Sequence, residues 1–99
     1  MIDYTNLSPH MRGPMRRYYE HGIPGRGFLT AMLENRFAEA VGRADDYNLS
    51  SLQSWARFLT WELPMICWGS SEKVRKWIES GGAIGRHNRN DRRLLPRRN

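Results

Sequence analysis

Ninety-nine residues, 39% hydrophobic and 11% aromatic with four tryptophans, describe one small folded domain and exclude a disordered chain, because tryptophan supplies apolar area in large units. A single cysteine, Cys67, excludes an intramolecular disulfide, and no apolar run approaches the roughly 20 residues that span a bilayer. The net charge of +6 is unevenly placed: ten Lys and Arg face nine acids through Ser80, whereas six arginines and only Asp91 among acids occupy the last fourteen residues.

Residues 1–8 show no periodicity and are expected to form a loosely held arm. Met1 to Asn6 has neither the cationic start nor the apolar core of a secretion signal, so a reducing cytoplasm is the expected compartment. Ser8-Pro9 reads as an N-cap with proline at the first helical position, with Gly13-Pro14 an alternative restart one turn on. Met11, Met15 and Tyr18 share one face of this helix; Arg12, Arg16, Tyr19 and Glu20 share another. Gly22 is the expected C-terminal cap, and the stretch from Gly22 to Gly27, with three glycines and Pro24, is the hinge of the chain.

Beyond the hinge, Phe28, Leu29, Met32, Leu33, Phe37, Ala40 and Val41 follow helical spacing to Arg43, with Asn35 a candidate break. Asp45 to Asn48 is turn chemistry, and Asn48 is the expected cap of the next helix. That helix carries Leu49, Leu52, Trp55, Ala56, Phe58, Leu59, Trp61 and Leu63 and stops at Pro64; its apolar breadth predicts a central position. After a connector from Met65 to Gly69, Ser70 or Ser71 caps a last helix whose inner face is Val74, Trp77 and Ile78, and Ser80-Gly81-Gly82 ends the fold. No strand-like alternation and no internal repeat occur. The sequence therefore predicts an all-α, compact bundle of four or five short helices over residues 9–82, with a flexible arginine-rich tail over 83–99.

Four features point toward function. Arg12, Arg16, Arg17, Tyr19 and Arg26 gather near the hinge and combine guanidinium forks for phosphate with an aromatic face for a base; the alternative is a solvated helix face with an Arg16–Glu20 pair. The hinge glycines match neither a P-loop ending nor a GxGxxG after a strand, so a tight helix connection competes with an anion cradle. Arg86, Arg89, Arg92, Arg93, Arg97 and Arg98 suit a polyphosphate by counterion release, or serve only as a solvated terminus. Trp61 lies on a different helical face from Trp55 and is the tryptophan expected at the surface, where it would mark a partner or self-association surface. His10, His21, His87 and Cys67 form no metal-ligand spacing, no cofactor motif occurs, and no serine, cysteine or carboxylate stands in a nucleophile or acid–base context. A non-enzymatic protein is expected.

Arg12-Gly13, Arg17-Tyr18, Glu20 to Pro24, Gly27 to Asn35, Ala40 to Asp45 and Cys67 to Val74 with Trp77-Ile78 together resemble a family of short phage and prophage helical proteins. The resemblance covers residues 8–82. It implies a phage accessory protein of the host bacterial cytoplasm, acting on a host component, and carries no catalytic assignment. The chain departs from the family pattern at Pro24-Gly25-Arg26, where the family has Pro-Pro-Gly, and at Asn35-Arg36-Phe37, where it has Asn-Asp-Leu; the arginine tail lies outside it. The leading expectation is sequestration of an anionic, phosphate-bearing nucleotide signal of host defence. The alternatives are a nucleic-acid-binding protein of phage replication or regulation and an inhibitor docking on a host protein.

Overall fold

The computed structural model describes residues 2–88. Arg89, Arg92, Arg93, Arg97 and Arg98 lie outside the described residues. The fold is all-α: α1 spans Pro9–His21, α2 Gly27–Leu33, α3 Phe37–Arg43, α4 Asp46–Ser50, α5 Leu52–Arg57 and α6 Ser71–Ser80, and no strand occurs among the described residues.

α1 starts and stops as its sequence dictates. Pro9 occupies the first turn, where its missing N–H costs nothing, and Gly22 caps the end at φ 69°, its N–H and that of Ile23 returning to the carbonyls of Tyr18 and Arg17. Met11, Met15 and Tyr18 are buried. The Tyr18 hydroxyl donates to the Cys67 carbonyl at 2.6 Å, and Trp77 Nε1 donates to the Tyr18 and Tyr19 carbonyls at 3.1 Å, so the last helix caps the end of the first.

The two long helices expected from periodicity are each interrupted. Asn35 adopts φ 62° and separates α2 from α3, the left-handed conformation that an asparagine tolerates better than most residues. α3 folds back along α2, and only Ala40 of α3 is fully buried, so Phe37, expected in the core, is 64% exposed. The expected helix from Asn48 to Leu63 begins earlier, at Asp46, because Asp45 and not Asn48 is the cap: its carboxylate accepts the Asn48 N–H at 2.7 Å. Ser51 breaks it, and Phe58–Glu62 forms a π turn. That turn places Leu63 N–H on the Phe58 carbonyl, one residue further than α geometry allows. It aligns Leu63 with the buried Phe58 and Leu59 and leaves Trp61 80% exposed.

The core is centred on Trp55, which is 0% exposed and meets Phe28 and Phe58 edge-on at 5.5 and 6.2 Å between ring centroids. The N-terminal arm is not loose. Leu7 is 2% exposed, Ile2 and Tyr4 pack on the core, the Asp3 N–H donates to Glu62 Oε1 at 3.1 Å, and Arg12 donates to the carbonyls of Leu7 and Thr5 at 3.0 and 2.7 Å. Nothing in the local pattern signals this burial, since a lone leucine in a polar stretch has no period.

The chain also continues past Gly82. Residues 82–88 are helical, Ala83 packs against the core, and the Arg86 guanidinium lies over the Trp77 ring at 5.2 Å. The first residues of the expected tail thus belong to the folded unit, and an end of the fold at Gly82 is corrected accordingly. Gly82 has φ 71° and abuts the hinge, where an added Cβ would stand 2.5 Å from the Gly22 amide nitrogen. Gly82→Ala should cost about 1–3 kcal/mol from backbone conformation, with the steric shift added, and lower the thermal midpoint; an unchanged midpoint would mean that the two glycines do not meet.

Burial pushes the Cys67 thiol from an ordinary 9.0 up to about 12 and the Tyr4 hydroxyl from 10.0 up to about 12, and raises Tyr18 further. These groups hold their protons more tightly folded than unfolded. Their contribution to stability is fully present below the unfolded values and is lost as pH rises from about 9 through about 12. Circular dichroism against pH should show cooperative alkaline unfolding across that window, and Cys67 should resist thiol reagents until unfolding begins.

Candidate functional site

The hinge between α1 and α2 forms one wall of a cleft of about 600 Å³. Its apolar lining comes from Met11 and Pro14 of α1, Ile23 and Pro24 of the hinge, and Phe28 and Leu29 of α2. Arg17, Arg26 and Arg43 line the same cleft from α1, the hinge and the end of α3. Two glycines shape where these arginines lie. A Cβ on Gly27 would stand 2.9 Å from Arg43 Cδ and Nη1, and one on Gly13 would stand 3.2 Å from Arg17 Nη1, so both guanidinium groups rest against bare backbone.

Arg43 is 3.4 Å from Glu39. The side chains of Arg17 and Arg26 have no ion pair or hydrogen-bond partner among the described residues. Across the cleft, His10 Nε2 and Asp45 Oδ2 lie 3.0 Å apart, both about half exposed. The Asn48 backbone N–H, then the His10 contact, hold the Asp45 carboxyl below the usual carboxylate value, so Asp45 is an anion at neutral pH. Among the described residues no serine, threonine or cysteine lines the cleft beside the His10–Asp45 pair.

The structure divides the expected arginine cluster. Arg17 and Arg26 reach the cleft just described, whereas Arg12, Arg16 and Tyr19 line a second depression of about 470 Å³ with Ile2 to Thr5 and Glu20. The expected group of Arg12, Arg16, Arg17, Tyr19 and Arg26 is thus shared between two depressions. Arg12 is occupied in holding the arm, Arg16 pairs with Glu20 at 3.2 Å, and Tyr19 stacks on Trp77 at 5.6 Å. Arg36 pairs with Glu34 at 2.7 Å and Glu39 at 3.2 Å. Arg43, His10, Asp45 and Asn48 were not anticipated. Chain separation hid Arg43 from Arg17, although Gly27 and Arg43 sit at the two ends of a helical hairpin whose break at Asn35 was visible.

Trp61, Met65 and Ile66 are exposed within six residues of one another along the chain. Among the described residues no group of three or more His, Cys, Asp or Glu is placed to hold a metal ion, and no helix is long and apolar enough to cross a membrane. What the fold and site define is therefore a small all-α chain with an arginine-lined, apolar-floored cleft. Comparison with protein-family models, with curated proteins and with solved structures found no match to the chain.

Proposed function

We propose that the chain is a non-enzymatic accessory protein that binds and sequesters a phosphate-bearing nucleotide in the cleft beside the hinge. The observation that carries this reading is the pair Arg17 and Arg26, unpaired among the described residues and joined by Arg43 over an apolar floor. Guanidinium groups recognise phosphate by charge and by bidentate hydrogen bonds. A floor of Met11, Phe28 and Leu29 suits the flat face of a base, and pockets of a few hundred Å³ accommodate ligands of this size. The resemblance to phage proteins supplies the proposed setting, in which the ligand is a nucleotide signal of host defence and the compartment is the cytoplasm of the host bacterium.

Native mass spectrometry and the absorbance spectrum of protein purified from producing cells test this directly. A bound nucleotide adds one discrete mass and raises the 260 nm signal. Heterogeneous nucleic acid that leaves in high salt would instead favour the nucleic-acid-binding alternative, with Arg86 and the arginines beyond it as the contacts. A second reading, docking on a host protein, is favoured by the exposed Trp61, Met65 and Ile66, a surface that would serve equally for self-association; Trp61→Ala would then abolish partner capture and leave nucleotide binding intact.

A further inference from the structure

Asn48 is 3% exposed, yet it lines the cleft. Its side-chain oxygen is committed: Trp55 Nε1, which can only donate, lies 3.2 Å from Asn48 Oδ1. That bond fixes the orientation of the amide and leaves Nδ2, a double donor, with no hydrogen-bond partner among the described residues. Nδ2 is not sealed within the protein either; among the described residues the side-chain atoms buried without a partner are Tyr4 Oη and Trp68 Nε1. An oriented donor without a partner among the described residues thus belongs to a buried residue of the cleft lining, held by the residue at the centre of the core. A donor so placed favours a ligand that brings an acceptor, because a ligand bringing its own donor leaves both unpaired and out of water.

We infer that Asn48 is a specificity-determining residue of this cleft, donating through Nδ2 to the carbonyl oxygen at C6 of a purine or C4 of a pyrimidine, so that the site prefers bases with a keto group at that position to those with an amino group there. The inference rests on the nucleotide reading above. With the phosphate held by the arginines, the base enters the apolar part of the cleft. There guanine O6 or uracil O4 accepts from Asn48, whereas the amino groups of adenine and cytosine meet it donor to donor.

Calorimetric titration of GMP, UMP, AMP and CMP into the wild-type chain and into N48D tests it. The variant retains an acceptor for Trp55 Nε1 and removes the donor from the cleft. The wild type should bind GMP and UMP about tenfold more tightly than AMP and CMP, and N48D should lose or reverse that preference, a change in ranking that general charge repulsion would not produce. A second readout needs no variant: the Asn48 side-chain NH₂ signals of ¹⁵N-labelled wild type should shift with GMP and not with AMP at equal occupancy. Equal affinity for the four nucleotides, or a keto preference that survives in N48D, would overturn the inference while leaving nucleotide binding in place. Failure of the wild type to bind any of the four would overturn the nucleotide reading and the inference with it.

Discussion

Trp55→Ala should destabilise the fold by about 3–5 kcal/mol, enough to unfold a chain of this size under mild conditions. The indole is wholly buried, joins the aromatic rings of Phe28 and Phe58, and donates through its only polar atom to Asn48 Oδ1. Truncation leaves a cavity at the centre and removes the bond that orients the cleft amide, so stability and ligand selectivity should fall together. Trp61→Ala, made in the same helical segment but at a side chain 80% exposed, should change stability by no more than about 0.5 kcal/mol. Chemical denaturation of the two variants checks the contrast. Comparable losses would place Trp61 in the core and remove the argument for an exposed aromatic surface.

The second large effect concerns the cleft arginines. Each charge-assisted contact to phosphate contributes about 1.5–3 kcal/mol, so Arg17→Ala and Arg26→Ala should each weaken nucleotide binding about tenfold or more. Because neither side chain has a partner among the described residues, stability should hardly change. Arg43→Ala should lose less, since Glu39 already shares its charge. Arg16→Ala should leave affinity intact, because Arg16 lines the other depression and pairs with Glu20. Calorimetry with GMP on the four variants reads this order. An Arg16→Ala loss equal to that of Arg17→Ala would move the binding site to the α1 face beside the N-terminal arm.

Much of the fold was legible because local chemistry and global packing agree along most of the chain. Pro9 and Gly22 delimit α1, Asn35 breaks the next segment, and helical phase already sets Trp61 on a different face from Trp55. What stayed hidden depended on contacts between distant residues. Leu7 is buried because Arg12 binds the arm's carbonyls, and Gly82 continues the fold because it meets Gly22. Phe37 had the right spacing for a core position yet lies outside, since α3 buries only Ala40. The cleft was half legible. Arg17 and Arg26 lie near the hinge in sequence, but Arg43 arrives through the α2–α3 hairpin, and Asn48, expected as a cap, turns its side chain to Trp55 while Asp45 takes the capping role.

The central claim is that the arginine-lined cleft beside the hinge is where this chain holds its ligand. Amide chemical-shift mapping of a GMP titration over the assigned protein tests that most directly. Saturable shifts should centre on Arg17, Arg26, Phe28, Arg43 and Asn48, fading toward Trp61 and Met65. Shifts confined to Trp61, Met65 and Ile66, or to Arg12 and Arg16, or the absence of any saturable shift, would contradict it.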